Sequence, residues 1–460
     1  MQATQRPGTK SKQPRMIRAW TNTLLIVLGA GCTASADEVR PPDDQLFFPT
    51  GGAIAPDESV LFVVNANSEL RFDSGSIAVI DLQNVDQVVE GWLLRDEIPG
   101  GCDPDLDHIE TLTCDEASFL SGQAGVRVGN FATDISVQDL GNNNLRLIVP
   151  TRGDPSIAWA DWSGDQQRLS CSDASEGYAL CDDSHRLSFV AANPDLPIPE
   201  EPFGVFADTA GEFAIVSHLS TGAVTLIDSP KDGVATVTDI TAGSFLPDAN
   251  QNNLRGATGV AGRTPNSAGD IIYVGSRSED RIQTFTVGRP VNGAAPYLLS
   301  GDWFFLDAAG TNNGGSFDTR GMAFSPTGER LYLVNRKPPT LQIYDTSLSA
   351  GGFPRNEPLG VVDICRQAST LAVADTGDGE RAYVTCFQDG QLYVVNPNGI
   401  GQTEDIVLVG RGPYSVVAAP GRKKLYVTNF LEDTVAVVDL TPGSATRNRV
   451  VLRIGTPRNQ

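Results

Sequence analysis

Residues 412–440 read GPYSVVAAPGRKKLYVTNFLEDTVAVVDL and hold three short β-type runs. Residues 414–419 are apolar and end at Pro420-Gly421. Residues 424–429 (KLYVTN) alternate apolar and polar side chains. Residues 434–440 (TVAVVDL) are Val-rich and close on Asp439 and Leu440. Runs of this length between Pro, Gly, Asn and Asp predict an antiparallel meander. Three strands cannot bury their own faces, so the meander needs neighbours. The chain supplies copies. The second and third runs recur at 331–335 (LYLVN) with 340–345, at 382–386 (AYVTC) with 391–396, and at 61–65 (LFVVN) with 76–82. Fainter copies at 213–217 with 223–228, 271–276 with 281–287 and 145–151 with 156–162 bring the total to seven units. The first run recurs at 52–56, 203–207, 321–328 and 370–374.

Asn335 and Cys386 are 51 residues apart, and Cys386 and Asn429 are 43 apart. A period of about 40–45 residues with four strands per unit is the signature of propeller blades. Residues 403–409 and 449–454 fit fourth strands. Tyr426-Val427-Thr428-Asn429 is the tetrapeptide for which the YVTN β-propeller repeat family is named. Pro420-Gly421 and residues 435–439 match the turn and strand that flank it there. The chain resembles that family over residues 47–456, most clearly in the first unit and the last three. The expected fold is therefore all-β: a seven-bladed β-propeller of four-stranded antiparallel blades with long disulfide-pinned loop insertions. A count of six or eight blades, a β-sandwich or two smaller barrels are the alternatives. The family is diverse in activity, so the resemblance implies architecture more than function.

Residues 1–31 read as a targeting segment. Arg6, Lys10, Lys12, Arg15 and Arg18 precede a short apolar core at 24–28, too short to span a bilayer as a helix. Gly29-Ala30-Gly31-Cys32 follows, and small residues before a Cys look like a bacterial lipoprotein signal, with Cys32 as the lipidated residue. Gly29 departs from the usual Leu or Val, and ordinary cleavage with Cys32 a bystander is the alternative. Translation starts at Met1 or Met16. Residues 32–45 read as a disordered lipidated tether, 46–456 as the propeller and 457–460 as a tail. Thr33 after the Cys, in place of Asp, points to the outer membrane as the site of anchoring in the cell envelope.

The whole chain carries 34 Lys+Arg against 56 Asp+Glu, a net charge of −22. Five of those basic residues and no acid lie in 1–31, so the remainder holds 29 against 56, or −27. Such a field excludes nucleic acid as a partner and disfavours anionic lipid; the membrane is reached through the N-terminal lipid alone. A monomer is expected. Setting Cys32 aside, six Cys allow fifteen pairings. Nearness in sequence selects Cys102–Cys114, Cys171–Cys181 and Cys365–Cys386. Disulfides agree with an oxidising compartment.

In a propeller, the loops after the second strands and the lead-ins to the first strands share one face, around the channel. On the repeat alignment that face receives Arg152, His218, Arg277 and Arg336 from the loops, and Arg255, Arg320, Arg366 and Arg411 from the lead-ins. Arg255 and Arg411 align, each followed by Gly. Converging Arg side chains on so acidic a body form a local positive focus for carboxylate or phosphate. The bland alternative is an Asp or Glu beside each. His218 is a candidate base or ligand without an evident partner. Asp103, Asp105 and Asp107 alternate as Ca²⁺ ligands can, but no Gly follows Asp107 and Cys114 stands where a bidentate Glu belongs. No cofactor beyond that Ca²⁺ is indicated, and no residue is assigned a catalytic role. No phosphate loop, H-E-x-x-H or dinucleotide motif occurs.

Two functional readings stand together. One is a non-catalytic binding scaffold displaying two stapled insertions, 83–130 and 163–201, to a protein partner, or holding a small anionic ligand. The other is a propeller enzyme of lactonase-like or other hydrolase type, working over the central channel. A structural envelope component is a third, less favoured because the repeat module occurs once.

Overall fold

The computed structural model describes residues 38–172, 177–241, 256–263, 271–277, 279–306, 318–399 and 403–458. The targeting segment, Cys32 and Arg255 lie outside them. Seven antiparallel sheets follow one another along the chain, and each takes its four principal strands in sequence order. Blade 1 opens with Pro49–Ile54 and blade 2 with Ser136–Gly141. Blades 3 to 7 open with Pro202–Asp208, Ala257–Gly262, Thr319–Phe324, Ala368–Asp375 and Pro413–Ala419. The protein is a seven-bladed β-propeller.

The alternation read in KLYVTN does not mean that one face meets water. In Lys424–Asn429 every residue after Lys424 is buried, and Val60–Asn65 is buried throughout. Each blade packs both faces against its neighbours, so the polar positions are buried too and need partners. The repeat tetrapeptide shows how they find them. Tyr426 and Val427 fill opposite inter-blade cores. Thr428 donates its hydroxyl to the Thr50 carbonyl of blade 1 at 3.0 Å. Asn429 donates to the Val409 carbonyl at 2.8 Å, pinning the lead-in to its own blade. Asn65 does the same by accepting from Phe47 N–H at 3.1 Å, and Asn335 by accepting from Asp318 N–H at 3.0 Å.

The Thr428 bond belongs to a ring. Thr50 donates to Ala132 O, Thr133 to Phe203 O, Ser217 to Thr258 O, Thr258 to Thr319 O and Thr385 to Tyr414 O. The seam between blades 5 and 6 uses Arg336 Nε on Ala368 O, at 2.6 Å. Blade 7 thus closes on blade 1 with the hydroxyl-to-carbonyl bond used at five of the other six seams. No principal strand is exchanged, and residues 46–48 add no edge strand. They lie buried at the seam, with Phe48 N–H donating to Asp433 Oδ1 at 2.7 Å.

The two insertions are not displayed as free loops. In the first, the Cys102–Cys114 disulfide pins a hairpin of Cys102–Pro104 and Leu112–Cys114. Its second strand pairs in parallel with Arg449–Ile454, the outer strand of blade 7. The same insertion holds a helix, Leu82–Arg95, which the sequence reading treats as polar loop. Asp81 caps it through Gln83 and Asn84 N–H, and Leu82, Val85 and Val89 bury its inner side. In the second insertion, Arg168–Ser170 completes blade 2. Phe189–Val190 and Asn193–Pro197 then extend blade 3. Outer strands present unpaired backbone, and the insertions cover it. The other two disulfides join Cys171 to Cys181 and Cys365 to Cys386.

Candidate functional site

Seven cross-strand pairs set the register of the channel wall. They are Pro49 with Asn65, Ala132 with Thr151, Pro202 with His218, Ala257 with Ser276, Thr319 with Asn335, Ala368 with Cys386 and Pro413 with Asn429. In the first strands, the residues one step after the paired ones are Thr50, Thr133, Phe203, Thr258, Arg320, Ser369 and Tyr414. All seven line one cavity of about 360 Å³. One step further come Gly51, Asp134, Gly204, Gly259, Gly321, Thr370 and Ser415. Glycine has a packing cause here. A Cβ on Gly204 would stand 2.4 Å from Thr258 O, and one on Gly259 2.0 Å from Arg320 O. Blade 2 alone puts a charged residue, Asp134, in this second ring. The residues one step after the paired residues of the second strands add Arg152, Leu219, Arg336 and Phe387 to the wall.

The cavity therefore holds three guanidinium groups and one carboxylate. Arg320 is tied to Asp318, with Nε 2.8 Å from Oδ1, and lies 5.8 Å from the centre of the Phe203 ring. Arg152 pairs with Glu201. Arg336 donates to Ala368 O and, at 3.4 Å, to Ser369 Oγ. Among the described residues no carboxylate oxygen lies within 4.0 Å of it. Burial, then repulsion from Arg320, lowers its pKa to about 10 against the opposing pull of the Asp318 charge, so it stays charged at neutral pH. Asp134 accepts from Ile135 N–H at 2.9 Å and Val205 N–H at 3.2 Å. Those bonds do not offset its burial, which pushes its carboxyl up to about 6. Asp134 is half-buried and lines the cavity. Burial also pushes the Tyr414 hydroxyl up, with Asp134 adding to the effect. The rings of Phe387, Tyr414 and Phe430 stand 6.1–6.4 Å apart and carry an aromatic wall toward the seam of blades 7 and 1.

Of the residues expected on this face, the structure brings Arg152, Arg320 and Arg336 together. Arg277 occupies the position equivalent to Arg336 one blade earlier. It does not line the cavity, though its charge acts on Arg336. Arg366 and Arg411 do not line it either. Each sits two residues before its blade's paired residue, where the chain is still outside the channel wall. Arg366 is exposed. Arg411 donates to Leu431 O at 3.1 Å and Arg458 O at 2.6 Å, which fastens a loop. His218 is wholly buried: Nδ1 lies 3.2 Å from Glu200 O and Nε2 2.8 Å from Thr225 Oγ1. Burial lowers its pKa to about 4, and with both nitrogens engaged it is a core residue.

The alternating acids do not form a calcium loop. Asp105 Oδ1 accepts from Asp107 and His108 N–H, and Oδ2 lies 3.4 Å from Arg453. Among the described residues no group of three Asp, Glu, His or Cys is placed to hold a metal ion. Asp134 and Tyr414 escaped the sequence reading. Asp134 lies in the most degenerate blade, where no first strand was assigned, and Tyr414 reads as an ordinary strand apolar.

No family model and no curated protein matches the chain. The likeness is to solved structures. A protein from Lactobacillus plantarum aligns with a TM-score of 0.54 at 16% identity, covering 86% of this chain and 98% of its own. The periplasmic gluconolactonase of Pseudomonas aeruginosa aligns with a TM-score of 0.50 at 15% identity, over 80% and 87%. A β-propeller domain from Myceliophteria thermophila aligns with a TM-score of 0.52 at 11% identity, over 88% and 100%. At such identities the likeness is one of fold.

Proposed function

We propose that this protein is an exported, envelope-anchored β-propeller that binds a small anionic molecule in the cavity at the head of its channel. One observation carries the reading. Arg336 is a half-buried guanidinium that lines a cavity of about 360 Å³ and, among the described residues, has no carboxylate oxygen within 4.0 Å. A charge partly withdrawn from water is costly unless it meets its counter-ion, so the ligand supplies it. A cavity near the lower end of the usual small-molecule range, with an aromatic wall and few convergent polar groups, fits a small ligand. The disulfides support an oxidising compartment. Cys32 would carry the lipid, in the outer membrane of a two-membrane host, and membership of the YVTN repeat family belongs to the same proposal. The insertions cover blade edges, which moves the binding role from a displayed loop surface to the channel.

A hydrolase reading has one observation in its favour. Asp134, with its raised pKa, stands in the same cavity as the cations, as a general base would. The gluconolactonase likeness is compatible with it through fold alone.

Thermal unfolding of the full chain against carboxylates, phosphates and lactones tests both readings. A carboxylate or phosphate that raises the wild-type midpoint, fails with Arg336→Gln and still works with Arg411→Ala supports the anion site. Gln keeps an N–H donor for Ala368 O. A shift that survives Arg336→Gln removes the basis of the proposal. Lactone turnover lost in Asp134→Asn would favour the enzyme.

A further inference from the structure

Building on the anion-site reading, we propose that the ligand is a zwitterion of amino-acid or dipeptide size, its carboxylate on Arg336 and its ammonium on Asp134. Arg152 is matched by Glu201 and Arg320 by Asp318. That leaves one cation and one carboxylate outside any ion pair, although the Asp318 charge still acts on Arg336 from further off. Among the described residues no carboxylate lies within 4.0 Å of Arg336, and no Lys, Arg or His nitrogen within 4.0 Å of Asp134.

They do not neutralise each other, because the ring holds them apart. Arg336 ends a strand of blade 5, and Asp134 leads into blade 2. Two blades stand between them on one side and three on the other, so they face across the channel. Each Asp134 oxygen accepts one backbone N–H, from Ile135 or Val205, and keeps a lone pair for a ligand donor.

The choice of ligand class follows. A phosphate dianion would satisfy Arg336 and leave Asp134 facing surplus negative charge. A simple monocarboxylate leaves Asp134 unmatched. An amine alone leaves Arg336 unmatched. A molecule with a carboxylate at one end and an ammonium at the other meets both groups and leaves the cavity neutral. Phe203, Met322 and Phe387 line the same cavity and can receive an apolar side chain.

Calorimetric titration of the full-length, disulfide-intact protein tests this with matched probes at pH 7.5. The probes are the common free amino acids, their N-acetyl derivatives, which lack the ammonium, and the corresponding amines, which lack the carboxylate. The expected result is that at least one free amino acid binds tenfold or more tightly than its N-acetyl acid and its amine. Asp134→Asn should bring the free and acetylated forms to similar affinity, and Arg336→Gln should abolish binding of both. An N-acetyl acid that binds wild type as tightly as the free amino acid overturns the zwitterion and leaves the anion site standing. If neither form binds, the zwitterion is overturned, and the thermal screen with phosphates and other carboxylates decides the anion site.

Discussion

Asp134→Asn should stabilise the unliganded protein at neutral pH and destabilise it in acid. Burial raises the folded-state pKa from 3.8 to about 6. Over that window the folded state holds a proton that the unfolded chain has released, so stability falls as pH rises from about 4 to 6. Above 6 the loss is complete. Two units at 1.36 kcal/mol each place it at roughly 3 kcal/mol. Asn carries no charge and so removes the penalty, but it offers one acceptor oxygen to two N–H donors and forfeits a hydrogen bond of about 1 kcal/mol. The net expectation is a gain of about 1–2 kcal/mol at pH 7.5 and a loss of about 1 kcal/mol at pH 4. Guanidinium unfolding followed by tryptophan fluorescence, with disulfides intact, measures both. A destabilised variant at pH 7.5, or a difference with the same sign at both pH values, would refute the reasoning. Ligand that supplies an ammonium should recover the wild type's deficit and not the variant's. A buried carboxylate kept at such cost is what function, rather than stability, selects.

Removing the hydroxyl at the closing seam, Thr428→Val, leaves Thr50 O without its donor and should cost about 1–2 kcal/mol in denaturant unfolding. Thr385→Val, at the seam of blades 6 and 7, should cost much the same, because both seams use one kind of bond. Replacing both Cys102 and Cys114 by Ser frees a hairpin closed over a separation of 12 residues. It should cost about 3 kcal/mol and raise amide exchange selectively in Arg449–Ile454, whose edge the hairpin covers. His218 is held neutral by burial, with a pKa of about 4 against 6.5. As pH falls through that interval the unfolded chain takes up a proton that the folded one refuses. Roughly 3 kcal/mol should then be lost by pH 4, and His218→Gln should flatten this part of the acid profile.

The ring was legible because its second strands repeat a pattern with a structural cause. Asn65, Asn335 and Asn429 recur since each must hold the lead-in to its own blade. Ser217, Thr385 and Thr428 stand one step before the paired residue of their second strands and give three seams their hydroxyl. At the seam of blades 5 and 6 the duty passes to Arg336, and the fold does not change. The functional face was legible for the same reason: every blade sends the same two connections toward the channel.

The choice among the arginines was not legible. Arg320 stands one residue after its blade's paired position and lines the cavity; Arg366 and Arg411 stand two before theirs and do not. Bulges shift the register just beyond the paired residue in six of the first strands, so counting along the chain does not reveal who faces inward. The insertions misled through composition. Polar, Cys-pinned segments read as loops, while their β-pairing to other blades depends on contacts that only the closed ring creates.

The most direct test of the anion site is a crystal structure of the full chain with the carboxylate that raises its melting temperature most. The account predicts ligand density in the channel cavity, with a carboxylate oxygen within hydrogen-bonding distance of the Arg336 guanidinium. An empty cavity at saturating ligand, or density seated instead on the disulfide-pinned insertions, would contradict it.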